Sequence, residues 1–291
     1  MSNTGTVSSM LPVTLSESQT EEFITRGFTV VRGAFPRGES IDWVREECAL
    51  AGYNLDDPGT WALDYVRLRT TRKERIETYA PVAWGAICAL MGGAGRVRNR
   101  AAIDLMAVNL SQGADRPFVP PSPAAPGWHK DGWHFRHFLD SPEQGFLGIP
   151  LLTDVLPRGG ATFIAAGSVG PVARFLAEHP EGVMPNDFPM RELLSSSGVE
   201  FLEATGEAGD FYLLHPYLLH ATSQNALRRP RAICNVLIEL TEPMRFDRTD
   251  NDYSPVEQAI LRGLGVERFD FAPTRERYRT PDYGPIDPKL R

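Results

Sequence analysis

The spacing of apolar and polar residues changes character several times along the chain, and each change predicts an element. Ser18-Gln19-Thr20-Glu21 fits a capping box, in which the first and last side chains bond each other's backbone N–H. A helix is therefore expected to start there and to stop at Gly27. Phe28-Thr29-Val30-Val31-Arg32 is rich in strand formers and predicts a strand. Helical spacing returns from about Ser40 to Ala51 and again from Tyr79 to Met91, where Gly92-Gly93 ends it. Residues 53–72 show no clear period, and residues 1–12 read as a flexible tail.

Beyond residue 100 the period shortens to two. Ala102 to Leu110 alternates, so Ile103, Leu105, Ala107 and Asn109 share one face. The loop from Ser111 to Pro126 holds Pro117, Pro120, Pro121, Pro123 and Pro126; a loop of that length is either an active-site lid or a passive surface loop. Strands are expected at Gly145 to Leu156 despite Pro150, at Thr162-Phe163-Ile164, Val199 to Ala204 and Asp210 to Leu214. Two more follow at Tyr217 to Thr222 and Arg231 to Leu240. A helical insertion covers about 169–197, Ser254 to Gly263 is a helix, and the tail from Ala272 is rich in proline and charge. The class is therefore mainly β with flanking helices. A single domain spans 1–291, with an N-terminal helical and strand part over 13–100. A core over 101–245 follows, then a C-terminal helix and tail over 246–291. A two-sheet jelly roll of the cupin kind closes most strand edges and leaves an interior cavity.

Composition narrows the partners. The chain has 291 residues, 42% of them hydrophobic, which is ample for a core. Its net charge of -7 disfavours nucleic acid and anionic membrane. The most apolar window, Ala80 to Gly95, is shorter than the ~18–20 residues a membrane span needs. Cys48, Cys88 and Cys234 are odd in number and scattered, as in a protein with reduced, buried thiols. The polar start lacks the basic-then-apolar pattern of a secretory signal, so a cytoplasmic location is expected.

Chemistry concentrates in Gly127-Trp128-His129-Lys130-Asp131-Gly132-Trp133-His134-Phe135. On an extended strand His129 and Asp131 point to one face and can share a metal ion. Two histidines and one carboxylate, with other positions open, mark non-haem iron(II) oxygenases. Among the remaining histidines, His179 precedes a proline and reads as a surface or capping residue. His134 and His137 read as packing, surface or pocket residues, and His215 as a core or supporting one. His220 stands out because Arg231 follows it eleven residues later. If 217–222 and 229–236 form one hairpin around Asn225-Ala226, His220 lies opposite Arg231. That guanidinium would suit the far carboxylate of a dicarboxylate bound to the metal.

These residues, in this order, resemble the phytanoyl-CoA dioxygenase-like family of iron(II)/2-oxoglutarate oxygenases. The resemblance rests on Glu22-Phe23 with Gly27 to Gly33, His129-Lys130-Asp131, Gly159-Gly160-Ala161-Thr162 with Gly167-Ser168, Gly209-Asp210, His220, Asn225 and Arg231-Ala232-Ile233. It covers most of the chain and implies a double-stranded β-helix. It also implies iron(II) held by His129, Asp131 and His220, with 2-oxoglutarate anchored by Arg231 and O2 as the oxidant. The implied reaction hydroxylates or otherwise oxidises a C–H bond of a small molecule, releasing succinate and CO2. Asp131 is present where related halogenases carry Gly or Ala, which favours oxygenation. Asn109 and Thr162 are further 2-oxoglutarate contacts or ordinary strand-end and turn residues; Asn225 is expected to fix a turn. Trp128, Trp133, His134, Phe135 and His215 line the substrate pocket or pack the core. Two alternatives stay open: a jelly-roll metalloprotein with a non-oxoglutarate activity, and a non-catalytic small-molecule-binding relative. Residues Ser254 to Phe271 either cap the barrel or join two chains in a homodimer.

Overall fold

The computed structural model describes residues 15–98 and 101–279. The tail expected at residues 1–12, and the part beyond residue 279 of the tail expected from Ala272, therefore lie outside the described residues. Helix α1 (Glu17–Arg26) starts two residues before the expected box: Ser16 accepts from Gln19 N, and the Gln19 side chain returns to Ser16 N. The same S-x-x-Q/E logic operates, two residues nearer the N-terminus. Strand β1 (Phe28–Val31) follows, then helix α2 (Arg37–Leu50) behind Pro36. The stretch without a clear period holds the start of an eleven-residue strand, β2 (Tyr65–Arg75). The single helix expected over 79–91 is two, α3 (Ile76–Tyr79) and α4 (Pro81–Leu90), because Pro81 lacks an N–H and suits a first helical position.

The strands that follow are β3 (Ala102–Asn109), β4 (Phe146–Pro150), β5 (Thr162–Ala166), β6 (Glu200–Ala204) and β7 (Phe211–Leu214). They continue with β8 (His220–Thr222), β9 (Arg231–Ile233) and β10 (Val236–Ile238). They form two facing walls. One wall joins β2-β3-β9 to β10-β4-β7-β1. The join is made by the Leu151–Ile233 bridge, which keeps the register of the β10–β4 pairs, so β9 and β10 run as one interrupted strand. The other wall is β6-β5-β8, extended at the free side of β8 by a bridge from His129 to His220. Two antiparallel walls with a core between them are the jelly roll expected from the sequence.

One expectation fails here. β8 and β9 are not a hairpin: β8 pairs with β5, and β9 pairs with β3. The connection carries the chain from one wall to the other. Asn225 holds it there, its amide donating to the carbonyls of Asn109 (2.9 Å), Leu110 (3.0 Å) and Arg229 (2.7 Å).

Helices cover the outer face of the first wall and one end of the sandwich. The insertion contains α5 (Val169–Ala177) and α6 (Met190–Leu194), and the C-terminal helix is α7 (Pro255–Leu264). Val66, Met106 and Val108 are buried on the wall's outer face, where Trp43 and Glu47 of α2 meet Arg72 and Thr71 of β2. α7 packs on α1 and α5 of its own chain; a Cβ on Gly263 would lie 2.6 Å from the Gly170 Cα, so only glycine permits that crossing. The buried face of α7 thus packs on helices of its own chain. No helix among the described residues is long and apolar enough to cross a membrane. Cys48, Cys88 and Cys234 are free, and burial pushes the Cys48 and Cys234 thiols up to about 11 and about 12.

Candidate metal centre

His129 and His220 face each other across a single antiparallel step. His129 N donates to His220 O at 3.0 Å, and His220 N returns to His129 O at 3.1 Å. A directly opposed pair sends both side chains to the same face. The two rings accordingly lie 4.4 Å apart between centroids. Asp131, two residues past His129, points the same way. Its Oδ1 is 3.5 Å from His129 Nε2, and its Oδ2 is 3.6 Å from His220 Nε2. Gly132, at φ +112°, ends the extended run at once. A Cβ there would sit 2.5 Å from the His137 ring and 2.6 Å from the Phe135 ring.

Backbone carbonyls select the tautomers. His129 Nδ1 donates to Gly127 O at 2.8 Å, and His220 Nδ1 donates to Leu218 O at 3.0 Å. Both Nε2 lone pairs then point at Asp131, the arrangement metal-binding imidazoles take. One ligand atom from each of the three residues lies within 4.8 Å of the others. Asp131 Oδ2 and His220 Nε2 are buried and have no hydrogen-bond partner. Burial alone would raise the Asp131 carboxyl, but His220 and His129 hold it well below its usual range. Burial opposes charge on His129 too, and Asp131 outweighs it, so that imidazole sits above its usual range. Three donors, two of them orphaned, fit a divalent cation such as iron or zinc.

Arg231 stands on the opposite wall. Its side chain is fully buried, and its Nη2 donates to Thr162 Oγ1 on β5 at 2.6 Å. The arginine therefore spans the gap between the walls instead of lying beside His220. Burial lowers it to about 10, with Tyr65 acting the other way. No carboxylate among the described residues pairs with it, and its Nε has no partner. A desolvated cation left in this state suits an anionic ligand.

The other expected residues divide. Thr162 is at the site, through Arg231. Asn109 lies in register with Arg231, but its side chain already serves the backbone. Its Nδ2 donates to Ser223 O at 3.1 Å, and its Oδ1 accepts from Gln112 N at 3.0 Å. Trp133 is 58% exposed and stacks near His129, with centroids 6.1 Å apart. Trp128 is a packing residue. It lies on Phe163 and Phe201, and its Nε1 donates to Ser122 O. With Gln224, which bonds Gly113, Pro117 and Val119, it pins the Pro-rich loop over β5 and β6. His134 and Phe135 are buried against each other at 5.1 Å. Burial, and then the Arg279 charge, keep His134 below its usual range.

His215 is placed elsewhere, which corrects its pocket reading. It packs between Phe23 of α1 and Tyr217, accepts from Tyr217 N at 3.0 Å and donates to Val256 O of α7 at 3.1 Å.

Sequence reasoning missed three residues around the centre. Lys130 is buried behind Asp131 and donates to His137 Nδ1 at 2.8 Å and Gln144 Oε1 at 3.2 Å; burial brings it to about 7. Tyr65 lies in register with Asn109, and Asn109 with Arg231, so all three share the inner face. Arg67, two residues on, stands near enough to His129 to oppose its protonation. The period-two run Tyr65-Val66-Arg67-Leu68-Arg69 was the available signal, hidden by its low hydrophobicity.

No curated protein matches the sequence. Among solved structures, SnoK, a non-haem α-ketoglutarate-dependent carbocyclase from nogalamycin biosynthesis, is 14% identical. The alignment covers 79% of this chain and 86% of that one, with a TM-score of 0.49. EctD from S. alaskensis with bound Fe is 17% identical, with 80% and 85% covered and a TM-score of 0.48. HygX from Streptomyces hygroscopicus, with nickel and 2-oxoglutarate bound, is 16% identical, with 78% and 88% covered and a TM-score of 0.45. The family match runs from residue 23, in the first helix, to residue 233, at the end of β9, and so contains the three converging side chains and Arg231. The chain belongs to the phytanoyl-CoA dioxygenase (PhyH) family.

Proposed function

We propose that the protein is an iron(II)- and 2-oxoglutarate-dependent oxygenase that oxidises a C–H bond of a small molecule. The observation that carries this reading is the set of inward-facing His129, Asp131 and His220 atoms, with Asp131 Oδ2 and His220 Nε2 left without partners. His129, Asp131 and His220 would hold the metal. Arg231, supported by Thr162, would take the far carboxylate of the co-substrate. When bound, iron(II), 2-oxoglutarate and O2 supply the oxidising power, and succinate and CO2 are released.

The chain's own part is placement. Gly127 O and Leu218 O fix the imidazoles with Nε2 inward, so no reorganisation is needed when a cation arrives. Asp131 contributes one negative charge and the neutral imidazoles none, leaving a single positive charge on a divalent ion. Arg231 supplies the second cation for a dianion. The wall-to-wall reach of Arg231 keeps that charge dry, which strengthens its pairing with a carboxylate. Trp133, exposed and stacked near His129, borders the metal site and would shield the reacting bond from water.

Anaerobic addition of iron(II) and 2-oxoglutarate should produce a visible charge-transfer band, and Asp131→Ala should abolish both the band and succinate release. A protein that binds iron(II) at saturating 2-oxoglutarate without the band is a metalloprotein of another activity. One that binds neither is a non-catalytic relative.

A further inference from the structure

We infer that Arg67 and Arg69 of β2 form the recognition site for an anionic group on the primary substrate, a small molecule carrying a carboxylate, phosphate or sulfate. The inference rests on the reading of the metal centre given above and adds the substrate class.

The argument begins with register. Tyr65 pairs with Asn109, Arg67 with Ala107, and Arg69 with Leu105. On the far side of β3, Asn109 pairs with Arg231 and Ala107 with Ile233. Directly paired residues share a face, so Tyr65, Arg67 and Arg69 project from the same side of the wall as Arg231. Arg231 reaches Thr162 on the opposite wall, so that side is the inside of the sandwich. The intervening Val66 and Leu68 turn outward toward the helices, and Val66 is buried there.

The pair is placed at the mouth of the site. Tyr65 is half-buried beside Arg231, whereas Arg67 and Arg69 are exposed, so the strand runs from the buried end of the site to its opening. Arg67 follows Tyr65 by one same-face step, in the cross-strand row of Ala107 and Ile233 next to the row that holds Arg231. The neighbouring inner positions, Leu105 and Ala107, are apolar and half-buried, and Trp133 offers an exposed ring beside His129. A ligand lying there would meet an apolar floor with two cations at one edge.

Charge makes the assignment specific. The side chains of Arg67 and Arg69 form no ion pair and no hydrogen bond with the described residues, although those of most other described arginines of this acidic chain do. Metal, Asp131, 2-oxoglutarate and Arg231 already sum to neutrality, so neither arginine is needed for the co-substrate. Same-face neighbours two apart on a strand lie roughly 6–7 Å from each other, a spacing from which two guanidinium forks can close on one oxyanion group.

The test uses a probe pair of equal shape and different charge, benzoate and benzamide. Each is titrated into the full chain loaded with manganese(II) and saturating 2-oxoglutarate, and the relaxation of its ring protons by the ion is read. Benzoate is expected to titrate at roughly tenfold lower concentration than benzamide. That preference should vanish in Arg67→Gln/Arg69→Gln and be partly kept in Arg67→Lys/Arg69→Lys, with 2-oxoglutarate affinity and melting temperature unchanged throughout. Equal behaviour of the two probes in the parent protein, including no binding of either, overturns the inference. So does a preference that survives the glutamine pair. Water-proton relaxation in the same samples reports manganese binding separately, so its failure counts against the metal centre alone. The arginine pair is then read without metal, as protection of Arg67 and Arg69 from phenylglyoxal by benzoate in peptide mass spectra. Absence of protection there also overturns it.

Discussion

Acidification should destabilise the fold through His215, and the size of the effect follows from its surroundings. The imidazole is fully buried, accepts from Tyr217 N through Nδ1 and donates to Val256 O through Nε2. Both nitrogens are thus used in the neutral form, and a second proton would displace the Tyr217 N–H. Burial lowers the group to about 3, against about 6.5 in an unfolded chain. The unfolded state therefore gains a proton below about pH 6.5, while the folded state refuses it until about pH 3. The stability is complete above pH 6.5 and falls by about 1.4 kcal/mol per pH unit below it, or about 2 kcal/mol at pH 5. That is a large share of the ~5–15 kcal/mol that holds a typical domain together. It corresponds to a fall in melting temperature of roughly 4–8 °C. The comparison is with His215→Asn, whose Oδ1 can still accept from Tyr217 N but does not titrate in this range. The variant should be less stable at pH 7.5 by roughly 1–3 kcal/mol, from the lost bond to Val256 and the smaller side chain. Its curve should then be flatter, so that the gap narrows by about 2 kcal/mol at pH 5. Urea melts in chelator at four pH values measure this without interference from metal release. Parallel curves for the two proteins would refute the reasoning.

Thr162→Val removes the acceptor of a buried guanidinium at nearly constant volume. It should cost roughly 1–3 kcal/mol of stability in urea melts and raise the 2-oxoglutarate concentration needed for turnover, while Thr162→Ser keeps both near the parent. Asn225→Ala strips three carbonyls of their donor where the chain changes walls. A loss of roughly 2–4 kcal/mol is expected, and a change within the error of a urea melt would show that water replaces the amide.

Much of this architecture was legible because local signals and tertiary structure agree. The capping box of α7 is an example. Ser254 and Glu257 bond reciprocally, Pro255 takes the first helical position, and Gly265 closes the helix in the left-handed region. The convergence of His129, Asp131 and His220 was legible because His-x-Asp, Gly-Asp, His, Asn and Arg follow one another in the order the family resemblance requires, where His-x-Asp alone is a weak signal. Two kinds of feature were not legible. The pairing of β8 was misread because a polar run between two strands carries the same signature whether it folds back or crosses over. What decides the matter is the Asn225 amide finding carbonyls near residue 109, more than a hundred positions away in sequence. β2 was missed because half of its alternation is written in arginines, which look like a surface until register places Tyr65 beside Arg231. His215 misled in the opposite sense, since a buried neutral imidazole and a pocket imidazole differ only in what surrounds them.

The crossing of the chain between walls also explains why the site needs an arginine at position 231. Packed sheets stand about 10 Å apart, and a shorter side chain on β9 would not reach β5. The guanidinium does reach it, and its fork leaves Nε free while Nη2 holds Thr162. The folded protein therefore holds unmet charge of both signs on facing walls: an unpaired cation at 231, and the carboxylate and imidazole lone pairs at 131 and 220. A buried group without a partner costs roughly 1–3 kcal/mol, so the orphaned atoms at these two ends favour ligands of opposite charge. A divalent cation alone relieves one end, and a dicarboxylate alone relieves the other. Only the two together satisfy both and neutralise each other, so binding of either should favour binding of its partner, by the same factor in each direction.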